Sequence, residues 1–231
     1  MFLNISMNYF FTFTIKVKNY FMNNSEIIQT SKHLLKDKYN LVMVPYFIGF
    51  LILQLIQGTN INSNPINVGD EVYTNFGFSP LLILTAGPMT LGLYIFTLAF
   101  LNDESLEFKK IFSGFKFYFK ALFASLIYVL FVLIGLVLFI IPGIVFSMMF
   151  SQVYFIIADN PEVGLIEAFK QSKAIMYGHK WQYFKLSLRY GFYFILGIFT
   201  LFIWWLWLIP QNYVSFGLFY KNISKKGMIN S

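Results

Sequence analysis

The stretch Ala121–Ala158, ALFASLIYVLFVLIGLVLFIIPGIVFSMMFSQVYFIIA, runs for 38 residues without a charged side chain. A single helix of that length would measure roughly 57 Å at about 1.5 Å per residue, nearly twice the roughly 30 Å of a bilayer core. The segment must therefore fold back, and Ile141-Pro142-Gly143 marks the place. Proline removes a backbone donor and clashes with the preceding turn, while glycine accepts tight geometry. The stretch predicts two membrane-crossing helices closed into a hairpin.

Outward from this hairpin the pattern repeats. A charged run, Asn102–Lys120, precedes it; before that lie the apolar runs Leu41–Gln57 and Phe78–Phe100, separated by the polar segment Gly58–Gly77. A second charged segment, Asp159–Lys185, follows and ends at Arg189; Tyr190–Tyr220 is then uncharged for 31 residues. That length again exceeds one perpendicular crossing. Spans are placed at about 41–57, 78–100, 121–141, 143–158, 184–203 and 206–220, with the last turn near Trp204–Pro210. One long tilted helix is the alternative for the final stretch. Composition agrees with a membrane chain: 58% of the 231 residues are hydrophobic and 12% charged, against about 25% charged in a soluble domain. A water-soluble domain of this size would leave much of that surface exposed. The absence of cysteine excludes a disulfide scaffold, and the hydrophobicity excludes disorder.

Charge sets the orientation. The net charge is +7, and all 17 basic residues fall in segments 1–40, 101–120, 159–189 and 221–231. The alternate connections hold only Asp70 and Glu71. Cytoplasmic loops retain Lys and Arg, so both termini are expected in the cytoplasm. The lysines sit in short loops rather than on a broad solvated face, which argues against nucleic acid as a partner.

Each pair of spans follows a segment of helical periodicity. Ser25 is placed as the cap of the first, with Ile27, Ile28, Leu34 and Leu35 on one face. In the second, Phe108, Ile111, Phe112, Phe115 and Phe119 oppose Lys109, Ser113, Lys116 and Lys120. The third starts at Asn160-Pro161, carries a seam of Leu165, Phe169, Ser172 and Met176, and ends at Gly178. Helices of this kind lie in the membrane interface. The expected fold is thus an all-α integral membrane protein with six transmembrane helices as three hairpins, each preceded by a cytoplasmic amphipathic helix. Residues 22–223 form the membrane domain and 224–231 a cytoplasmic tail; 1–21 fit neither a signal peptide nor a span, and read as a mis-started or weakly ordered extension. The echoes Leu138-Phe139-Ile140-Ile141-Pro142 with Leu206-Trp207-Leu208-Ile209-Pro210, and Ser31-Lys32 with Ser172-Lys173, leave a true internal repeat open.

Several of these residues also carry a family likeness: Ala158-Asp159-Asn160-Pro161, Glu167-Ala168 with Ser172, Gly178-His179-Lys180-Trp181, Trp207-Leu208-Ile209-Pro210 and Phe219-Tyr220, together with Ile141-Pro142-Gly143 and Tyr154. Over about residues 22–223 the chain resembles the bacterial domain of unknown function 975 family. The resemblance implies a multi-pass membrane protein, mainly of low-GC Gram-positive bacteria, and no reaction. The chain departs from the pattern at Gln211, where Tyr is expected after the proline.

Chemistry-bearing patterns are scarce. The two histidines, His33 and His179, are far apart, and no HExxH, GxGxxG or Walker A motif occurs. Asp103, Glu104 and Glu107 sit at a helix start, where the macrodipole favours acids. The stretches 41–57, 78–100, 121–158 and 190–220 hold no Asp, Glu, His, Lys or Arg, so ion-coupled transport loses its usual signature. Gln54, Thr85, Thr90, Ser147, Ser151, Gln152, Gln211, Asn212 and Ser215 are assigned to hydrogen bonds between helices. Pro88, in Gly87-Pro88, is read as a kink, with a broken helix beside a cavity as the alternative. Trp181 and the cluster Trp204, Trp205 and Trp207 read as interfacial anchors.

The expected function is non-enzymatic and cofactor-free. The chain belongs in the bacterial cytoplasmic membrane, its basic inner face contacting anionic lipid, a protein partner or a second copy. The structural and interface candidates are Pro88, Pro142, Gly143, Tyr154, Asp159, Pro161, Ser172, Gly178, Trp181, Pro210 and Tyr220. Two rivals stand beside it. One is a permease or export component for a hydrophobic or peptide-like substrate, with a cavity around Gly87-Pro88, Gln152 and Asn212. The other is a lipid-directed enzyme using Asp159, Glu167 or His179.

Overall fold

The computed structural model describes residues 22–58, 66–68, 71–73, 80–200 and 202–229; the expected extension 1–21 and Asp70 lie outside them. In chain order the elements are α1 (Asn24–Leu35), α2 (Tyr39–Gly58), β1 (Ile66–Val68), β2 (Glu71–Tyr73) and α3 (Pro80–Leu101). A 3₁₀ helix (Phe108–Phe117) then leads into α4 (Tyr118–Leu138), followed by α5 (Ile140–Met149), α6 (Val153–Asp159), α7 (Leu165–Ile175), α8 (Lys180–Ile198) and α9 (Trp205–Ile229). The architecture is helical. Three helices among the described residues, Leu84–Leu101, Phe108–Val137 and Ile140–Asp159, are long and apolar enough to cross a membrane. The polar connection is not wholly irregular, since β1 and β2 pair as a short antiparallel ribbon with Ile66 opposite Tyr73.

Helix starts differ from expectation in ways the local chemistry explains. Asn23, not Ser25, caps α1: its side chain accepts from the Ser25 and Glu26 amides at 2.9 and 3.0 Å, and Glu26 accepts from the Asn23 amide at 3.0 Å. This reciprocal box needs an acid three residues after the cap, which Asn23 has. Asn160-Pro161 does not start α7. The Asn160 side chain accepts from the Glu162 amide at 3.2 Å, making a turn, and the helix begins at Leu165 after Gly164. At the second start Glu107 occupies the N-cap position without a side-chain cap bond, and the acids there are in ion pairs instead. Asp103 pairs with Lys38 at 2.9 Å, Glu107 with Lys109 at 3.3 Å and Glu104 with Lys110 at 3.0 Å. Lys110, with Asn102 behind it, holds the Glu104 carboxyl below its ordinary range.

The second amphipathic segment is a 3₁₀ helix that runs straight into α4, so the apolar rod begins at Phe108 rather than Ala121. Its buried seam is Ile111 and Gly114, three apart as 3₁₀ geometry requires, while Phe108, Phe112, Phe115 and Phe119 are exposed.

Both later hairpins turn earlier than their prolines suggest. The α4–α5 break is at Phe139, whose backbone is extended, and Pro142 is the third residue of α5. A proline ring excludes a helical carbonyl four residues earlier; that residue is Leu138, where α4 ends. Gly143 therefore serves close approach rather than a turn. A Cβ on Gly135 would stand 2.7 Å from the Gly143 Cα, so the two antiparallel helices meet backbone to backbone. Between α8 and α9, residues 199–200 and 202–204 are turn, with Phe202 at φ 64°, and Pro210 is inside α9. A Cβ on Gly197 would stand 2.3 Å from Trp205 Nε1, which donates to the Phe194 carbonyl at 3.1 Å. Trp205 closes this hairpin.

The amphipathic helices are all docked on other helices. Each docks on the second long helix of another unit: the 3₁₀ helix on α3, α7 on α6, and α1 on α9. The first two contacts join sequence neighbours, and the third closes a ring between the two ends of the chain. Burial exposes the likeness between units. Ile27, Ile28, Ser31 and Leu35 are the buried positions of α1. Ala168, Phe169, Ser172 and Met176 are buried at the same spacing on α7. Gly178, at φ 77°, lies in the turn that follows α7, a backbone conformation other residues adopt only with strain.

Candidate functional site

A groove of about 530 Å³ opens where α1 lies against α8 and α9. The last turn of α1 supplies Lys32 and the following residue Lys36, at the helix end whose dipole favours cations. The opposite wall is Trp207, Leu208 and Gln211, spaced to share one face of α9, and Trp204 just before that helix, on which Tyr193 of α8 stacks at 6.4 Å. Lys32 and Lys36 are exposed. Neither enters an ion pair among the described residues. Gln211 is 7% exposed, and its Nε2 is buried with no acceptor among the described residues. Leaving such a donor unmet costs about 1–3 kcal/mol.

A chain of hydroxyls ties together the three helices that bound the groove. Ser31 donates to the Ile28 carbonyl at 2.9 Å, and Ser215 donates to Ser31 at 2.8 Å. The Ser215 proton is thereby committed, so Tyr190, 2.5 Å from Ser215, is the donor in that contact; it also reaches the Gln211 carbonyl at 3.3 Å. Three helices are thus tied by buried groups, and Gln211 takes part through its backbone while its side-chain amide does not.

A second, smaller cavity of about 290 Å³ lies deeper and is almost wholly aromatic, walled by Phe50, Tyr94, Phe155, Tyr183 and Tyr213, with Asn212 as its polar member. Neither Gln152 nor Gly87-Pro88 borders it. Gln152 Nε2 donates to Ser151, and its backbone amide donates to Ser172 at 3.3 Å. Gly87 packs on the Ala121 carbonyl, 2.5 Å from where a Cβ would stand, and Pro88 lies within α3 beside Gly114.

The structure brings together some of the sequence candidates. Tyr220 donates to Asp159 at 2.9 Å and stacks on Phe155 at 5.3 Å, and Lys120 donates to the Pro161 carbonyl. Ser172 donates to the Met149 carbonyl at 2.9 Å, which serves the break between α5 and α6. Tyr154 packs beside Tyr94, and Trp181 is 65% exposed, stacked on Phe184 with Lys185 above its ring. Pro88, Pro142, Gly143 and Pro210 shape helices and enter no shared site. Ser147, expected to bond across helices, instead donates to the Ile144 carbonyl three residues earlier, whereas Ser151 donates to the Met148 carbonyl and is also hydrogen-bonded to Tyr183 of α8. Glu167 is engaged with Gln171, and no cluster of three His, Asp or Glu occurs among the described residues.

Sequence reasoning missed the groove. Lys36 belonged to a general basic segment, Trp204 and Trp207 were anchors, and Gln211 was only a departure from a pattern. The available signal was the Ser31–Ser172 correspondence, which marks α1 as a docked helix.

Residues 126–227 match the model of a family described as protein of unknown function (DUF975). Over that stretch, a little under half of the chain, the sequence is similar to the domain of unknown function 975 family. The match covers α5–α8, nearly all of α9 and most of α4, including Ser172, Asp159, Tyr220 and the α9 wall of the groove. No curated protein and no solved structure matches the chain.

Proposed function

We propose that this chain is a multi-pass protein of the bacterial cytoplasmic membrane, crossing six times as three hairpins with both termini inside. Its lysine-bearing inner side contacts anionic lipid, and it is not an enzyme. One observation carries the reading. At the tip of the α4–α5 hairpin Val137, Phe139, Ile140 and Ile141 are 87, 76, 70 and 74% exposed. Lys120, at the hairpin's base, lies about 28 Å away along α4 at about 1.5 Å per residue. An exposed apolar rod of that length ending in a lysine matches a hydrocarbon core of about 30 Å bounded by the positive-inside surface.

Because the chain lacks cysteine, single introductions report topology. Phe139→Cys and Phe199→Cys in intact cells are expected to react with an impermeant maleimide, whereas Glu162→Cys and Ser224→Cys react only after lysis. Labelling of Ser224→Cys from outside would overturn the even number of crossings.

The aromatic cavity favours a second reading, a pathway for a hydrophobic substrate with Asn212 as its polar contact. It ranks lower because about 290 Å³ falls at the bottom of the roughly 300–1,000 Å³ range of ligand sites.

A further inference from the structure

We infer that the aromatic cavity between α2, α3, α6, α8 and α9 is a binding site for one uncharged fused-ring molecule bearing carbonyl oxygens, of the naphthoquinone class, whose carbonyls accept hydrogen bonds from Tyr94, Asn212 and Tyr213. The inference rests on the membrane reading above, which supplies the apolar medium such a molecule dissolves in, and goes beyond it by giving the bundle a ligand. Three features of the cavity converge on that chemistry. The first is size. Its volume of about 290 Å³ is roughly twice the 150 Å³ or so that admits a benzene ring. A space too small for a transport pathway is thus the right one for two fused six-membered rings. The second is the wall. Seven of the nine lining residues are aromatic and none is charged, which suits a flat, uncharged ligand and not an ion. The rings are held from behind, so the space is formed before any ligand enters. Tyr46 stacks on Tyr213 at 5.0 Å, and Trp205 meets Phe50 and Phe194 edge-on at 5.9 and 5.5 Å. The third is polar. The Tyr94 and Tyr213 hydroxyls and the Asn212 amide line this space with no hydrogen-bond partner among the described residues, whereas Tyr183 is engaged by Ser151 and Ser187. Phenol O–H and amide N–H groups donate, so the ligand that satisfies all three carries acceptors. A hydrocarbon ring would use the wall and leave the donors unmet.

The three polar residues also stand at one level in the bundle. Counted from Phe100 and Tyr220, the inner ends of their crossings, Tyr94 lies about 9 Å deep, Tyr213 about 11 Å and Asn212 about 12 Å, at about 1.5 Å per residue. Tyr94 and Tyr213 meet edge-on at 6.1 Å. All three fall in the inner half of a hydrocarbon core of about 30 Å, within reach of a ligand dissolved in that leaflet. The groove beside α1 offers no such common level. Its Lys32 and Lys36 belong to the inner side and its Trp204 to the outer turn, so no single headgroup serves both.

The test is equilibrium dialysis of the full chain in detergent micelles against menadione, a methylated naphthoquinone. Methylnaphthalene, of similar shape but without carbonyls, is the comparison probe, and empty micelles give the partition reference. The chain has no cysteine, so the quinone meets no thiol to alkylate. The native chain is expected to bind a single menadione saturably, and methylnaphthalene about tenfold more weakly, as the loss of one or two ordinary hydrogen bonds implies. Asn212→Leu and Tyr213→Phe should each weaken menadione and leave methylnaphthalene as it was, which also shows that the fold is kept. Tyr154 packs beside Tyr94 without lining the cavity, so Tyr154→Phe should change neither affinity. Equal affinity for the two probes overturns the carbonyl assignment. A preference for menadione that survives Asn212→Leu with Tyr213→Phe overturns the site. Absence of saturable binding by either probe also overturns it, and leaves the membrane reading intact, because cysteine labelling tests that separately.

Discussion

The 3₁₀ helix and α7 hold equivalent places in successive units, yet they are fastened by opposite means. At the 3₁₀ helix the fastening is absence of side chain: a Cβ on Gly92 would stand 1.8 Å from the Ile111 carbonyl oxygen, and one on Gly114 would stand 2.0 Å from that of Pro88. At α7 it is a hydroxyl, Ser172, which donates to Met149 and accepts from Gln152. The difference follows from what each helix meets. Around Gly92, α3 is continuous helix and its backbone groups are satisfied, so glycine allows close packing and nothing more is needed. Between α5 and α6 the chain leaves the helical ladder at residues 150–152, and the freed backbone groups need partners in a buried setting.

The largest expected effect breaks the glycine fastening. Gly92→Ala and Gly114→Ala each push a methyl onto a carbonyl that cannot swing aside as a side chain would. Overpacking of this kind costs about 1–3 kcal/mol and occasionally more, and the backbone contact places both variants at the upper end. Gly191→Ala is the control, because nothing lies within 4 Å of its added Cβ. In thermal unfolding in detergent, both docking variants should fall well below the native chain while the control stays level or rises. A Gly92→Ala protein as stable as the native one would mean that the 3₁₀ helix is not seated on α3.

Next in size are the two serines. Ser172→Ala removes the partner of a carbonyl and an amide at a helix break, at about 1–3 kcal/mol for groups left unmet in the interior. Ser31→Ala leaves Ser215 and Tyr190 bonded to each other, so about 1 kcal/mol or less is expected, the net worth of one ordinary hydrogen bond. Unfolding of both variants and of the double variant should give nearly additive losses, since they sit on different docking faces. An equal loss at the two sites would show that the α5–α6 break is satisfied without Ser172.

These fastenings also show what a sequence can disclose. The long helices follow from apolar length alone, and the seams of α1 and α7 follow from period. Phe169, Ser172 and Met176 stood on the expected seam because a helix that docks by one face must repeat every three or four residues. The pairings were hidden because they join distant segments. Nothing in the order of residues announces that Ser31 meets Ser215, or that Gly197 makes room for Trp205. Prolines misled in a systematic way. Pro142 and Pro210 both sit past the helix breaks they mark: Pro142 is in the first turn of α5, where proline is tolerated, and Pro210 lies farther in, in the second turn of α9. The groove was illegible for the same reason as the pairings: its lysines and its aromatic wall lie some 170 residues apart, and only the closure of α1 onto α9 unites them.

The smallest effect concerns the acidic entry to the 3₁₀ helix, where Glu104 pairs with Lys110. The Glu104 carboxyl is held below its ordinary range chiefly by the hydrogen bond from Lys110. A carboxyl lowered in the folded state contributes stability that is complete above its unfolded value, about 4.3, and is lost as pH falls through the lowered folded value. Glu104 is half exposed, so solvent screening limits the pair to about 1 kcal/mol at most. Lys110→Gln should therefore unfold slightly below the native chain at neutral pH, and the gap should close as pH falls through the lowered folded value, below which the carboxyl is protonated in both proteins. Added salt should narrow the gap at neutral pH. Lys110 itself is only 25% exposed, so its stem also covers apolar surface. A gap that persists at low pH and high salt would assign the loss to that packing, and would place the hold on the 3₁₀ helix wholly in its glycines.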